Sequence, residues 1–598
     1  MPPVVIVGAG PTGLTLALLL ANRGIRSVLV ERNTAPKKHP AAHILNTRTM
    51  EVFREIGVAQ ELEAACQPQN EAAYISWVVS VTGRLIGREP IMPPDYASIL
   101  SFSPTRAMLF PQNRLERMLR GRVLDSPLVA YHAGCACEAV QQNANHVTVT
   151  MRRGDSSQTE TVTGSWLVAC DGASSPVRRM LGIRSTGPVF QHMLGVYFTA
   201  DLERHIRGRE STLYWLMNPA AMGVIISYWM PREWALNVPY FPPQQQPGDF
   251  TEPLCREMIY DAVGTRDLPD LQVQDISPWV MSARMAETFQ RGRVLLAGDA
   301  AHSMPPTGGL GLNTGVQDAH NLAWKLAAVL HGKRDASFLH TYELERRAVA
   351  QRNIDISVRN LDRNQSIHAL AGAKVDRLKL MVALQNSWGF QQLPQSWQRW
   401  LVREAIRVGT SKYHWCDDAG PRGEALRALL AANLPSGTEH YRVGGDLGGV
   451  YREGAIVPEN SPLPEAADPI QNYRPTTWPG ARLPHLWLTA RTGERVSNHD
   501  VLEPEGFVLF VHPEGRSVWE PALRQAQLQE PLTLRCITIG EGGQYSDPLG
   551  KWRRLSEVEP TGAVLVRPDG HVAWRAIRID NFANATKALG KALQRLRQ

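Results

Sequence analysis

The sequence lacks most of the features that mark secreted, membrane-spanning or nucleic-acid-binding proteins. Its 598 residues include seven cysteines, none of them in a CxxC pair, so neither a disulfide framework nor a metal site is expected. No apolar stretch approaches membrane-spanning length, and the start Met-Pro-Pro lacks the basic and apolar segments of a signal peptide. The net charge of +7 is modest, and lysines and arginines form no long run. We therefore expect a cytoplasmic protein without a membrane span or a nucleic-acid partner.

A glycine-rich turn near the start of the chain has the surroundings that a dinucleotide site requires. It follows an apolar strand predicted over residues 4–7 and precedes a predicted helix. Gly8 is predicted to make the tight turn, Gly10 to admit a pyrophosphate, and Gly13 to let the helix pack closely on the strand. Glu31, at the end of the next predicted strand, is placed for ribose hydroxyls. Together these features favour nucleotide binding over an ordinary glycine turn.

Two acidic residues also follow short apolar strands. Asp171 comes after residues 166–170, and Asp299 comes after residues 294–297, before a Pro- and Gly-rich loop and a helix predicted over 314–330. A carboxylate at a strand end can bind a ribityl or ribose hydroxyl, and a helix start supplies free N–H groups and positive dipole. This suits a cofactor that becomes anionic at one end when reduced. An Asx-capped turn at Asp171 and a plain strand-to-helix connection at Asp299 are the alternatives.

The three motifs, in this order, resemble those of the single-component FAD-dependent aromatic hydroxylases that share the para-hydroxybenzoate hydroxylase fold. The likeness is greatest to the phenol and chlorophenol hydroxylase branch, and further matches lie at residues 43–51, 111–116, 317–325 and 478–485. The resemblance covers nearly the whole chain and is weakest over residues 186–278 and near 360–430. It implies FAD as cofactor, NAD(P)H as co-substrate with NADPH favoured, and O2 and a small aromatic compound as reaction partners.

The order of predicted elements, together with the resemblance, indicates an α/β and α+β protein of several domains. We expect a Rossmann-like FAD domain with an inserted β-sheet substrate domain, followed by a thioredoxin-like domain that lacks CxxC. The expected ranges are 1–185 and 279–435 for the FAD domain and a helical region, 186–278 for the substrate domain, with further strands near 70–105, and 440–598 for the thioredoxin-like domain. Cys536 has no partner for dithiol chemistry, so the last domain is expected to be structural. A homodimer is left open.

The resemblance also implies a set of cofactor-binding residues. They are Gly8, Gly10, Gly13, Glu31, Arg32, Arg48, Gln112, Asp171, Asp299, Pro306, Gly311, Leu312 and Asn313. Backbone N–H groups near the last three are expected to face the flavin's pyrimidine end, where negative charge develops. Arg48 is equally suited to a salt bridge within the fold. Relatives usually carry an arginine near the flavin where this chain has Ala41, and Lys37 or Lys38 is a candidate replacement.

The chemistry that the resemblance implies needs a base and a dry pocket. A flavin can accept a hydride, bind oxygen and present a 4a-hydroperoxide whose distal oxygen is electrophilic. Because deprotonation makes a phenol electron-rich, a base near the substrate hydroxyl is expected, and His43 is the candidate. A histidine that only packs or caps a turn is the alternative. The pocket candidates are Tyr214, Trp215, Tyr228 and Trp229, and strand alternation predicts that one of each adjacent pair faces the pocket.

The sequence therefore predicts an FAD-dependent monooxygenase that hydroxylates a phenol or phenol-like compound. One alternative on the same fold is a Baeyer–Villiger or polyketide-tailoring oxygenase. Another is an FAD-binding protein that has lost catalysis, which Ala41 alone favours.

Overall fold

The computed structural model of the chain describes most of its residues. These are residues 2–67, 74–91, 96–154, 158–372, 412–435, 442–529 and 533–597, with 392, 394, 397, 398, 401 and 404. Much of the predicted helical stretch near 360–430 lies outside the described residues. So do residues 68–73 and 92–95 of the strands predicted near 70–105, and Leu532 at the start of a predicted strand.

A six-stranded sheet places the three motif strands side by side. Its order is Gln290–Arg291, Val294–Leu296, Trp166–Ala169, Val4–Val7, Ser27–Glu31 and Val129–Ala133. All neighbours pair in parallel except the first two strands. The three motif strands are buried along their whole length, which explains why they appear as unbroken apolar runs. Since parallel strands end at the same edge, the loops that follow these strands meet there.

Four helices support the first sheet and the loops at its edge. They are Pro11–Ala21, Gln112–Asp125, Gly311–Leu330 and His340–Leu370. The first and third pack on one another, and the third also packs on the fourth. The helix predicted over 314–330 begins earlier, at Gly311. Glycine is a weak helix former, so composition alone gave little reason to place Gly311 inside the helix.

A seven-stranded sheet forms the second layer. Its order is Gln272–Ser282, Val189–Thr199, Glu233–Tyr240, Gly223–Trp229, Leu213–Leu216, Tyr74–Val78 and Leu85–Pro90. One face packs on helix Glu252–Val263, with Tyr214 and Ile259 in the same apolar cluster. Trp215 lies on the other face, against Trp77 and a separate apolar cluster. The predicted alternation is therefore confirmed for Tyr214 and Trp215.

An arginine joins the second sheet to the first domain. Arg114, on helix Gln112–Asp125, forms an ion pair with Glu233, and Glu233 also accepts a 3.0 Å hydrogen bond from the Tyr197 hydroxyl. The Arg114 guanidinium lies 3.9 Å from the ring centre of Trp229. Trp229 therefore helps to hold the two domains together through a cation–π contact.

The C-terminal part of the chain forms its own sheet. A four-stranded sheet has the order Thr533–Thr538, Gly506–Val511, Ala563–Val566 and Val572–Ala576, and helices Arg516–Gln529 and Phe582–Arg595 pack on one another beside it. Burial raises the pKa of Cys536 to about 12, so its thiol stays protonated. Among the described helices none is both long and apolar enough to cross a bilayer.

The remaining elements are short. The strands are Ile44–Leu45, Met108–Leu109, Cys135–Gln142, Val147–Arg153, Thr159–Gly164, Ser185–Thr186, Arg284–Ala286, His302–Ser303, Trp487–Ala490, Arg495–Ser497 and Tyr545–Ser546. The helices are Thr47–Glu55, Ala59–Ala65, Pro176–Met180, Glu203–Ile206, Pro421–Ala431, Val443–Leu447 and Lys551–Leu555. The architecture confirms the predicted α/β and α+β class.

The short helix Val443–Leu447 carries Asp446 against the start of helix Thr47–Glu55. The Asp446 carboxylate accepts a 3.2 Å hydrogen bond from the Thr47 backbone N–H. Burial raises the pKa of Asp446 to about 7, although that hydrogen bond and the Arg352 charge act in the opposite direction. The unfolded-state pKa of an aspartate is about 3.9. The folded protein binds this proton more tightly than the unfolded chain does. The contribution of Asp446 to the free energy of unfolding therefore falls as pH rises from about 4 to 7.

We predict that Asp446→Asn stabilises the protein at pH 8, by about 1–3 kcal/mol, and has little effect at pH 4. Thermal unfolding at both pH values measures this. Asp468→Asn is the control, because backbone N–H groups of Gln471 and Ile470 lower the pKa of Asp468 and its loss should act with the opposite sign. An equal effect of Asp446→Asn at both pH values contradicts the prediction.

Candidate active site

The glycines of the first motif have distinct surroundings. Gly8 has φ of +104°, and a Cβ added there would lie 2.4 Å from the Cys170 carbonyl oxygen. A Cβ at Gly13 would lie 2.0 Å from the Gly8 oxygen, whereas a Cβ at Gly10 would meet no described atom within 4 Å. Gly8 and Gly13 therefore hold strand, turn and helix together, and Gly10 leaves backbone open to a ligand. This is the arrangement that a bound pyrophosphate needs.

The carboxylate of Glu31 lies against the same turn. Its Oε2 accepts a 2.8 Å hydrogen bond from the Ala9 backbone N–H, and its Oε1 accepts bonds from the backbone and side chain of Asn33. The neighbouring Arg32 is exposed. The turn and the acid predicted to contact ribose are thus one rigid unit.

The Asp171 side chain supports the start of helix Pro176–Met180, whose N-cap residue is Ser175, and its contact with FAD stays a prediction. It accepts hydrogen bonds from the Ser175 hydroxyl at 2.5 Å and the Val177 backbone N–H at 3.0 Å. Burial raises the pKa of Asp171, against these hydrogen bonds. The adjacent Arg178 donates to the carbonyl oxygens of Ala173 and Ala300, at 2.9 and 2.7 Å. Arg178 therefore ties the Asp171 turn to the turn that contains Asp299.

Asp299 lies in the short turn Gly298–Ala300 that follows strand Val294–Leu296. It is solvent-exposed, yet desolvation by the surrounding protein raises its pKa, against the nearby charges of His302 and Lys37. Thr12, next to the glycine turn, lies against the Asp299 turn, because a Cβ added at Gly298 would lie 2.7 Å from its Oγ1. Lys37 is exposed, and its role as the replacement cation stays a prediction.

The side chain of Asn313 joins two loops of the site. Its Oδ1 accepts a 2.9 Å hydrogen bond from the Asn46 backbone N–H, and its Nδ2 donates to the oxygens of Ile44 and Gly309, at 2.9 and 2.6 Å. Leu312 and Gly311 are half-buried in the first turn of their helix, and Pro306 is exposed. These residues lie together beside the Asp299 turn.

A buried carboxylate without a predicted role holds the Asp299 turn in place. Asp318 accepts hydrogen bonds from the Gly298 backbone N–H at 3.0 Å and from Arg346 Nε at 2.7 Å, and pairs with His302 Nε2 at 2.7 Å. Burial raises the pKa of Asp318, but His302 and Arg346 outweigh that effect and hold this pKa below its usual value. Its sequence signal was its place in the matching stretch 317–325, which gave no role for the residue.

Two of the predicted cofactor-binding residues, Arg48 and Gln112, make hydrogen bonds within the fold. Arg48 is buried, forms a 2.8 Å ion pair with Glu51, and donates a 2.6 Å hydrogen bond to the Asp569 oxygen. It therefore makes the salt bridge that was its alternative role, and its contact with FAD stays a prediction. Gln112 is half-buried, donates to Glu116 at 2.8 Å, and its backbone N–H donates to the Ala42 oxygen at 2.7 Å. Gln112 thus supports the loop that leads to His43.

His43 lies between the two sheets. It is 8% exposed, and its ring meets the ring of Tyr228 edge-on with centroids 5.3 Å apart. The next residue, Ile44, belongs to an apolar cluster on the face of the seven-stranded sheet that carries Trp215. Half-buried Trp215 and Ile226 extend this cluster. His43 therefore lies next to an apolar surface on one side. On the other side it adjoins strand Ile44–Leu45, to which Asn313 donates a hydrogen bond.

The turn before His43 has an unusual backbone. Ala41 has φ of +52°, and the Ala42 N–H donates to the Pro40 oxygen at 2.6 Å across it. A left-handed conformation at a residue other than glycine costs about 1–2 kcal/mol. The Tyr228 hydroxyl donates a 3.2 Å hydrogen bond to the Ala41 oxygen, and burial raises the pKa of Tyr228, which keeps it a donor. The second sheet thus helps to hold this turn.

Comparison with protein families agrees with this geometry. A family described as an FAD binding domain matches residues 1–357, and one described as the aromatic-ring hydroxylase C-terminal domain matches residues 476–597. The chain belongs to the FAD-dependent aromatic-ring hydroxylases. No cluster of three or more His, Cys, Asp or Glu residues in the described part of this hydroxylase is arranged to hold a metal ion.

Individual relatives match almost end to end. The hydroxylase is 31% identical to 2,4-dichlorophenol 6-monooxygenase of Cupriavidus pinatubonensis, over 99% of this chain and 96% of that protein. It is 32% identical to tetracenomycin A2 monooxygenase-dioxygenase of Streptomyces glaucescens, over the same shares. Among solved structures, the flavin-dependent monooxygenase PieE in complex with FAD and substrate superposes with a TM-score of 0.84 at 32% identity, over 100% of this chain and 99% of that one.

A matched pair of glycine substitutions tests the first motif. Gly10→Ala should leave the fold intact, because the added Cβ meets no described atom, and should weaken FAD binding at least ten-fold, about 1.4 kcal/mol. Gly13→Ala should lower the free energy of unfolding itself by roughly 1–3 kcal/mol, because its Cβ overlaps the Gly8 oxygen. Thermal unfolding and FAD titration of both variants separate the two effects. Normal FAD affinity in Gly10→Ala contradicts the assignment.

Proposed function

We propose that this hydroxylase binds FAD at the edge of the six-stranded sheet and uses NADPH and O2 to hydroxylate a phenolic ring, with His43 as the base. The observation that carries the proposal is the place of His43, buried between the apolar face of the second sheet and the loops of the cofactor site. Relatives named 2,4-dichlorophenol 6-monooxygenase and phenol 2-monooxygenase support the substrate class.

The cofactor site is proposed from residues that the fold brings together. Gly8, Gly10, Gly13 and Glu31, with Arg32 beside them, would hold the ADP half of FAD, and Asp171 and Asp299 its central part. Pro306, Gly311, Leu312 and Asn313 would border the flavin ring, with Gln112 nearby. When bound, FAD supplies hydride acceptance and the activation of O2. The backbone N–H groups at the start of helix Gly311–Leu330 favour negative charge near the ring.

His43 would take the proton from the substrate hydroxyl. A phenolate is richer in electrons than a phenol, so its ring reacts more readily with an electrophilic oxygen. The imidazole holds this proton on a ring nitrogen and can return it to the product. The apolar face around Ile44 and Ile226 excludes water, which would otherwise divert the reduced oxygen to hydrogen peroxide. Base and dry wall are therefore side by side.

NADPH is proposed as the reductant because the family generally uses it. A second glycine-rich turn in strand–helix context is missing from the sequence. The donor would therefore dock transiently at the surface. We also propose a cytoplasmic enzyme, from the small number of cysteines, and a homodimer that involves the C-terminal domain. Rates with NADPH and NADH, and the mass of the protein in solution, test these points.

A second candidate is a polyketide-tailoring hydroxylase. Half-buried Trp215 stacks on Trp77 with ring centroids 5.4 Å apart and extends the apolar face beyond Ile226. Such a wide aromatic wall suits a fused-ring phenol. The relative named tetracenomycin A2 monooxygenase-dioxygenase also favours it. A panel of simple phenols, fused-ring phenols and cyclic ketones, scored for oxygenated product, distinguishes hydroxylation of either class from Baeyer–Villiger chemistry.

We predict that His43→Asn lowers the rate of coupled hydroxylation by about 10²- to 10⁴-fold at pH 7. FAD content should stay normal, and activity should recover partly as pH approaches the substrate's own pKa, about 10 for a phenol. Product and hydrogen peroxide are measured together across the pH range. His39→Asn is the matched control, since His39 lies in the same loop with its ring 6.0 Å from that of Tyr197.

Two outcomes contradict the assignment of His43. One is an unchanged product yield in His43→Asn at pH 7, and the other is a loss that does not depend on pH. If the parent protein with bound FAD oxidises NADPH but oxygenates no member of the panel, the catalytically impaired alternative holds.

A further inference from the structure

A buried arginine connects the cofactor edge to a more distant part of the fold. Arg346, on helix His340–Leu370, donates to Asp318 as described and also to the Thr314 oxygen, at 3.3 Å. Asn353, two turns along the same helix, donates a 2.8 Å hydrogen bond to the Thr314 hydroxyl. The start of helix Gly311–Leu330 is therefore fixed by side chains of its neighbour.

The next contacts involve a buried tyrosine. The Tyr451 hydroxyl accepts hydrogen bonds from Arg346 at 3.3 Å and from Asn321 Nδ2 at 3.4 Å. Its ring lies 4.4 Å from that of His571, which belongs to the C-terminal domain. Tyr451 thus contacts both helices of the cofactor edge and the last domain.

The far end is an ion cluster contributed partly by the C-terminal domain. Arg567 donates from both terminal nitrogens to Glu345, at 2.8 and 2.7 Å, and pairs with Asp569. Lys325 lies 2.8 Å from Glu345, and Asn321 donates to the same carboxylate at 2.6 Å. The side chains of Lys325, Glu345 and Arg567 are 0% exposed. Apolar residues of similar volume often stabilise a buried position as much as an ion cluster does. The presence of charges here is therefore better explained by a role in fixing geometry.

A second set of contacts leads from the C-terminal domain to the loop that ends at Asn46, which Asn313 joins to the start of helix Gly311–Leu330. Arg482 forms a buried ion pair with Glu51, which also binds Arg48, and Arg48 donates to the Asp569 oxygen. These residues lie on, or against, helix Thr47–Glu55, which begins directly after the Asn46 N–H held by Asn313. Both loops proposed to flank the flavin are therefore connected to the C-terminal domain.

We propose that Tyr451 and Arg567 are positioning residues for FAD. Arg567 fixes Glu345, Tyr451 fixes Arg346, and these fix helix Gly311–Leu330, so that Asp318 holds the Gly298–Ala300 turn at the depth the cofactor needs. The C-terminal domain then shapes the redox site without contributing an atom to it. This inference rests on the proposed placement of FAD against that turn.

Tyr451→Phe is the mildest test, because it removes one hydroxyl and keeps the ring against His571. The dissociation constant of FAD should rise about five-fold, close to the effect of losing one hydrogen bond. The visible absorption spectrum and the reduction potential of the bound flavin should shift as well. A purely structural tyrosine would change thermal stability and leave both flavin properties unchanged.

Two arginines of the C-terminal domain form a matched pair for the stronger test. Arg567→Met should raise the dissociation constant of FAD about ten-fold, since it removes a bidentate charged contact to Glu345. Arg575→Met removes ion pairs to Glu459 and Glu557, whose other hydrogen bonds among the described residues go to Ser461, Thr476 and Thr477. It should change FAD affinity less than two-fold. Release of FAD from the holoenzyme, followed by flavin fluorescence, gives these values. If Arg567→Met does not fold, Tyr451→Phe decides.

Asp299→Ala and a double-mutant cycle separate the possible failures. Normal FAD affinity in Asp299→Ala means that the proposed cofactor site itself is wrong. If Asp299→Ala weakens FAD but Tyr451→Phe leaves affinity, spectrum and potential as in the parent, the positioning role is wrong and the site stands. An equal loss of affinity in Arg567→Met and Arg575→Met also overturns it. In the cycle, the effects of Tyr451→Phe and Asp318→Asn on FAD affinity should be less than additive, because both act through the same turn.

Discussion

The carboxylate of Asp318 and its three donors determine where the cofactor edge of this hydroxylase lies. The backbone N–H of Gly298 and His302 Nε2 meet one oxygen of this group, and Arg346 balances its charge at the other oxygen. A buried carboxylate with fewer partners would be unstable in the interior, so the turn, the helix and the arginine must be in place together. The edge of the first sheet is thus held in place by side chains that are themselves buried.

His43, the proposed base, and the loops proposed to hold the cofactor also depend on one short connection. Strand Ile44–Leu45 follows His43 directly, is held by Asn313 on the cofactor side, and contributes Ile44 to the apolar face on the other. A displacement of this strand would therefore move the base, the loop and the dry wall in the same direction.

The local motifs were predictable from the sequence, but the contacts that hold them in place were not. Apolar runs before Gly8, Asp171 and Asp299 correctly indicated three buried strands, because burial on both faces leaves a clear pattern. Asp318 and Arg567 gave no such signal. Arg567 meets Glu345 across 222 positions of sequence, and only the packing of two domains creates that meeting. Arg48 shows the same difficulty, since residue type alone fits both a flavin contact and the salt bridge that it makes.

The contact between Thr12 and two glycines has a consequence for engineering. A Cβ at Gly298 would lie 2.7 Å, and one at Gly315 would lie 2.3 Å, from the Thr12 hydroxyl oxygen. The glycine-rich turn near the amino terminus therefore cannot be exchanged for that of a homologue independently of the rest of the chain. In a library of chimeras with a crossover between residues 12 and 298, we expect functional variants chiefly where positions 12, 298 and 315 all carry small side chains.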